Sequence, residues 1–134
     1  MRRSDWTVRL IETVEAAASR PFEYGEADCG LFAARCIDAI CENSARASEL
    51  AALYQDERSA LRFVAEEGGV EAAVTKRLGQ PIPASFASRG DVCLMPGVGF
   101  EALGICVGSR VAAMSQDGMR YAPLADVIKA WRVD

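Results

Sequence analysis

The sequence predicts an α+β domain in which helices come first and a small antiparallel sheet follows. Apolar residues recur at helical spacing through the first two thirds of the 134 residues. The last third instead carries short apolar runs separated by glycine-containing turns, a pattern typical of an antiparallel meander. The length and the hydrophobic fraction of 51% suit one domain, with a helical part at residues 1–79 and a sheet part at residues 90–134.

Five helices are predicted in the helical part. The first begins at a cap formed by Ser4 or Asp5 and ends before Pro21, and its apolar stripe comprises Leu10, Ile11, Val14, Ala17 and Ala18. Asp28 stands at the N-cap of the second helix, which places Cys29 in its first turn; the alternative for Asp28 is a contact with substrate or partner. Shorter helices are expected at about 45–54, 57–67 and 69–78.

The sheet part follows a connector at residues 80–89, in which two prolines and two serines break any helical period. Four strands are predicted beyond it, at Asp91–Met95, Leu103–Val107, Val111–Met114 and Met119–Ala122. Gly108-Ser109 suits a type II′ turn, and Asp117-Gly118 suits a type I′ turn. Residues 124–130 are expected to form a helical turn before a last strand at Trp131–Val133.

The charge of the chain limits its partners. The net charge is −4 and the arginines are dispersed, whereas binding to nucleic acid needs a concentrated basic face, so we expect no nucleic acid partner. No run approaches ~18 apolar residues, so no membrane insertion is expected. Ser4 and Asp5 follow the basic start, and no apolar region typical of a secretory leader comes after them. The expected location is the cytoplasm, or a particle assembled there.

Five cysteines, an odd number without a CxxC pair, are expected to be reduced thiols. Cys29, Cys36 and Cys41 are separated by seven and five residues, which fits no zinc or iron–sulfur pattern. Our interpretation is that Cys36, Cys41, Cys93 and Cys106 fill the core; the alternative is an iron-binding cluster of all five. Since no glycine-rich nucleotide loop occurs either, we expect no cofactor and no metal.

Two apolar features leave a choice between core and interface. Trp131 is either a core anchor near the end of the chain or an exposed contact for another protein. The loop at residues 96–101 is apolar for a turn, so Phe100 either docks against another protein or packs back onto the domain.

Three segments carry a family resemblance. Residues 24–32 read Tyr-Gly-Glu-Ala-Asp-Cys-Gly-Leu-Phe, residues 89–95 read Arg-Gly-Asp-Val-Cys-Leu-Met, and residues 102–108 read Ala-Leu-Gly-Ile-Cys-Val-Gly. In this order they resemble the Asp-Cys-Ser-Gly turn, the Gly-Asp-Leu-Val strand and the His-Val-Gly-Ile-Tyr-Val-Gly strand of the NlpC-type peptidases, papain-like enzymes that hydrolyse cell walls. The resemblance implies a papain-like fold with Cys29 at the position of the nucleophile.

The chain departs from that family where catalysis needs a base. It contains no histidine, and by the resemblance the catalytic histidine falls on Ala102. The residue that orients the histidine falls near residues 113–116, whose polar members are Ser115 and Gln116. Cys29 is therefore either an inert buried thiol or a thiol that retains slow reactivity. The resemblance also implies three binding positions: Tyr24, Asp28 and Gln116.

The chain most resembles a histidine-less offshoot of the family carried in phage and prophage tail-gene clusters. This resemblance implies a catalytically degenerate domain that serves as a structural or assembly component of a phage tail tip. Its partners would be other tail-tip or hub proteins, and it would pass from the cytoplasm into the tail. The alternatives are a weak or partner-completed cysteine hydrolase acting on cell-wall peptides during phage entry, and a host-encoded folding or regulatory module.

Overall fold

Five α-helices occupy the first part of the chain in the computed structural model, which describes residues 1–134. They are α1 (Trp6–Ala18), α2 (Cys29–Ile40), α3 (Arg46–Ala51), α4 (Glu57–Glu67) and α5 (Val70–Leu78). All five predicted helices are therefore present. Gly68 and Gly69 separate α4 from α5 and have φ values of +90° and +116°, a region that favours glycine because other side chains are strained there.

A six-stranded antiparallel sheet follows, with the strand order β1-β6-β2-β3-β4-β5. The strands are β1 (Ile82–Pro83), β2 (Val92–Met95), β3 (Ala102–Cys106), β4 (Arg110–Ser115), β5 (Gly118–Pro123) and β6 (Lys129–Trp131). The predicted α+β class, with helices first and the sheet after, is thus confirmed. None of the helices combines the length and the apolar character needed to cross a lipid bilayer.

The connector and the last strand differ from the prediction. Residues 82–83 of the predicted connector form β1, because Ile82 pairs with Ala130 on β6. Pro83 is tolerated here because β1 is an edge strand, where the N–H that proline lacks is not needed for a hydrogen bond within the sheet. The last strand is Lys129–Trp131 rather than Trp131–Val133, and the helical turn before it is a short 3₁₀ segment at Leu124–Asp126.

The β4–β5 hairpin corrects a second prediction. Ser115 pairs with Gly118, so Gln116 and Asp117 are the central residues of the turn. A type I′ turn needs positive φ at both central residues, and neither has it; the positive φ of +106° belongs to Gly118. The expected type I′ turn at Asp117-Gly118 is therefore wrong, because the strand pairing moves the turn back by one residue.

The main core lies between α1, α2 and one face of the sheet. Trp131 is fully buried there and its indole N–H donates to Thr75 on α5 at 3.3 Å, so the core interpretation of Trp131 is confirmed. A smaller cluster on the opposite sheet face contains Cys93 and Cys106 and is covered by residues such as Leu124. The two faces together enclose β2 and β3, which leaves β2 buried at every position.

Candidate functional site

Cys29 opens α2, and this end of the helix packs beside β3. The helix begins here because Asp28 adopts an extended backbone and its side chain accepts a hydrogen bond from the Leu31 amide at 2.9 Å. Such caps satisfy amides that lack an intrahelical partner in the first turn. The predicted N-cap at Asp28 and the predicted place of Cys29 are both confirmed.

A cavity of about 130 Å³ lies beside the partly exposed Cys29. We call this recess the Cys29 cavity. Its lining comes from all the helices after α1 and from the starts of β2 and β3, and 17 of its 23 residues are hydrophobic. The cavity is therefore an apolar recess rather than a polar cleft. Its walls include Ala33 and Ile37 on α2, Leu50 on α3, Phe63 and Val64 on α4, Ala73 and Val74 on α5, and Leu103 on β3.

Asp28 is held by three internal donors and is only 2% exposed. One carboxylate oxygen accepts from the Leu31 amide and from the Tyr54 hydroxyl, at 2.9 and 2.8 Å, and the other accepts from the Gly25 amide at 2.9 Å. Burial, together with the adjacent Asp28 charge, raises the pKa of Tyr54, so its hydroxyl stays protonated as a donor. Asp28 thus organises the site and has few lone pairs left for a substrate.

The Cys29 thiol is not activated. Burial raises its pKa to about 11; hydrogen bonding to the Leu103 backbone lowers it in part, and the charge of Asp28 raises it further. The first turn of a helix favours a thiolate, and here desolvation outweighs that effect. With no histidine in the chain, no imidazole is present to remove the proton.

The structure brings some of the sequence-predicted residues together and separates others. Tyr24, Asp28 and Cys29 all line the cavity. Ala102 does not: it packs on the opposite sheet face, and its neighbour Leu103 faces the cavity instead. Gln116 is exposed in the β4–β5 turn and is not part of the lining.

Tyr54 is the site residue that the sequence did not reveal. It lies 26 positions after Asp28, at the end of the helix predicted at about 45–54, and no local pattern links the two residues. Gly30, which directly follows Cys29, is the sequence feature consistent with this bond. A Cβ at Gly30 would lie 3.2 Å from the Tyr54 hydroxyl, so glycine keeps room for the bond to Asp28.

The other cysteines are core residues, whereas the apolar loop contributes to the cavity. Cys36, Cys41, Cys93 and Cys106 are free and buried, as expected of core residues. No group of three or more histidine, cysteine, aspartate or glutamate side chains is arranged to hold a metal ion. In the 96–101 loop, Phe100 packs against the main core and lines the cavity.

Comparison with known proteins gives one family. The model of a family described as a domain of unknown function, DUF6950, matches residues 1–133. No curated protein matches the chain. The family match extends over every helix and strand and over the whole lining of the Cys29 cavity.

Proposed function

The chain belongs to the DUF6950 family, whose description assigns no activity, and we propose that it is a catalytically degenerate NlpC-like domain acting as a structural or assembly component of a phage tail tip. The order of elements supports the papain-like part of this proposal. A cysteine opens a helix, that helix packs on an antiparallel sheet, and the segments that resemble family motifs form β2 and β3. The tail-tip part rests on the sequence resemblance.

The observation that carries the proposal is the state of Cys29. Cysteine hydrolases attack through the thiolate, and general acid–base assistance contributes about 10²–10⁴-fold to such reactions. With a pKa of about 11, roughly one thiol in 10⁴ is ionised at pH 7. Leu103 faces the cavity beside Cys29, and an aliphatic side chain cannot transfer a proton. A site in this state favours binding over hydrolysis.

The cavity supports a docking role. It lies beside Cys29 in a chain without histidine, and its apolar walls suit contact with another protein. Under this proposal the partners are other tail-tip or hub proteins, and the contact is shape-based rather than covalent.

The test is the pH dependence of Cys29 alkylation by iodoacetamide, read by mass spectrometry in the folded protein, with Cys29→Ser as control. We expect labelling at Cys29 to rise about tenfold per pH unit from pH 7 upward, without a plateau before pH 10, because only the thiolate reacts. The four buried cysteines should react only after unfolding.

A parallel incubation with purified peptidoglycan tests the loss of activity directly. We expect no Cys29-dependent release of peptide fragments. A labelling midpoint below ~8.5 together with Cys29-dependent cleavage would contradict the proposal and support a cysteine hydrolase instead. The tail-tip part is tested separately by mass spectrometry of purified tails and tail-assembly intermediates from a phage that encodes the chain; absence from both would refute it.

A further inference from the structure

The size and chemistry of the Cys29 cavity define what it can hold. Its volume is about 130 Å³ and most of its lining is hydrophobic. Apolar cavities of ~150 Å³ stay dry and accept a guest the size of benzene. The cavity therefore has room for one aromatic or branched aliphatic side chain, and too little room for a sugar or a peptide backbone.

The cavity opens to the protein surface on one side. The α4–α5 pair contributes Phe63 and Ala73 to one side, and α2 contributes Ala33 to the other. The lining also includes Glu49, whose side chain is 65% exposed, so the cavity reaches the surface at α3. A side chain presented by another molecule can enter from there.

The charged residues of the lining indicate which charge a bound partner should carry next to the cavity. Arg46 pairs with Glu49 at 3.8 Å, and Arg77 pairs with Glu67 at the base of the α4–α5 pair. Asp28 already accepts three internal hydrogen bonds. Glu101 is the one charged side chain of the lining with neither a salt bridge nor a hydrogen bond, which leaves one uncompensated negative charge beside an apolar recess.

From these observations we propose that the Cys29 cavity docks a partner protein through one Phe- or Leu-sized side chain flanked by a basic residue that pairs with Glu101. The inference rests on the docking function proposed above and specifies its occupant. Apolar anchors that fill a pocket, surrounded by weaker polar contacts, carry most of the energy at protein interfaces. The basic neighbour contributes orientation and selectivity more than affinity.

The test is a ¹H–¹⁵N NMR titration of the intact protein with acetyl-Arg-Phe-Arg-amide and acetyl-Glu-Phe-Glu-amide. The arginine peptide should bind a few-fold more tightly, and the shifted amides should lie at the cavity walls. In Glu101→Gln this preference should fall to near parity, and in the parent protein it should shrink at high salt. Ala73→Leu, which fills the cavity, should weaken both peptides about tenfold or more, since its side chain occupies the space of the anchor.

Ala72→Leu is the matched control, because Ala72 is the exposed neighbour of Ala73 on the same helix. It should leave both affinities unchanged. If Ala73→Leu does not fold, Ala33→Val on the opposite wall replaces it.

Several outcomes would overturn the proposal. Equal binding of the two peptides refutes the basic flank, and shifts away from the cavity refute the site. Binding of toluene without binding of either peptide indicates a small-molecule site instead of a protein-docking site. Absence of peptide binding with an inert Cys29 refutes this inference alone, whereas Cys29-dependent cleavage of peptidoglycan refutes the proposed function whatever the peptides do.

Discussion

At the scale of single residues, Asp28 and Cys29 are neighbours with separate roles. Asp28 joins the turn at Gly25, the start of α2 and the Tyr54 hydroxyl through three hydrogen bonds. A buried carboxylate is tolerated when donors replace the water that it loses. Hydrogen bonds compensate the burial of Cys29 only in part, so its sulfur remains a neutral thiol. The site therefore combines an ordered, ionised carboxylate with a protonated thiol.

Replacing Tyr54 with phenylalanine tests this arrangement. Tyr54→Phe removes one donor from the buried Asp28 carboxylate, and we expect a loss of about 1–2 kcal/mol in the free energy of unfolding. Urea denaturation followed by circular dichroism measures it. Tyr121→Phe is the control, because Tyr121 is 50% exposed. Equal stability of the two variants would show that the Tyr54 bond contributes nothing.

At the scale of elements, α4 and α5 are connected by Gly68 and Gly69 and held together by the ion pairs of Glu67. Glu67 at the end of α4 forms ion pairs with Arg77 and Lys76 on α5, and the adjacent Arg77 guanidinium holds the pKa of Glu67 below the usual 4.5. A carboxylate with a depressed pKa stabilises the fold above its unfolded pKa, and this contribution disappears as the pH falls through the folded pKa. We therefore expect the contact between α4 and α5 to weaken in acid.

Glu67→Gln tests that linkage. At pH 6 the variant should unfold at lower urea than the parent, and the difference should shrink as the pH is lowered from about 4.5 toward 3, because the parent loses its ion pairs there. Glu66→Gln is the control: it changes an exposed neighbour on the same helix and should keep the parent's pH profile. A constant offset between Glu67→Gln and the parent at all pH values would rule out the linkage.

At the scale of the whole molecule, Asp91 ties both ends of the chain to the sheet. It is 1% exposed and accepts from Arg2 and from the Val133 amide, both at 3.4 Å, and from the Ser88 amide at 3.0 Å. Arg2 also donates to the Val133 carbonyl at 2.7 Å and stacks over Trp6. The Gly-Asp segment that resembles a family motif thus has a structural use here.

Asp91→Ala should therefore destabilise the entire domain. It leaves donors on three separate segments without their acceptor, among them the buried Val133 amide, and we expect a loss of about 2–3 kcal/mol in the free energy of unfolding. Thermal and urea unfolding measure it. Asp117→Ala removes an exposed ion pair with Arg120 and should stay within about 0.5 kcal/mol of the parent. A similar small effect for Asp91→Ala would mean that the chain ends do not contribute to global stability.

By itself the sequence determined the order of the helices, the cap at Asp28, the place of Cys29 and the absence of any imidazole. These depend on local periodicity, on capping chemistry and on composition, all of which are present in short stretches of chain. Even the hairpin turn needed more, since strand pairing placed it one residue earlier than its glycine indicated.

Only the tertiary structure decided what surrounds Cys29. Adjacent strand residues point to opposite faces, so packing determined that Leu103, and not Ala102, faces the cavity. The bond from Tyr54 to Asp28 spans 26 positions, and β1 exists only because β6 lies beside it. The raised pKa of Cys29 comes from burial, a property of the folded surroundings that no local pattern contains.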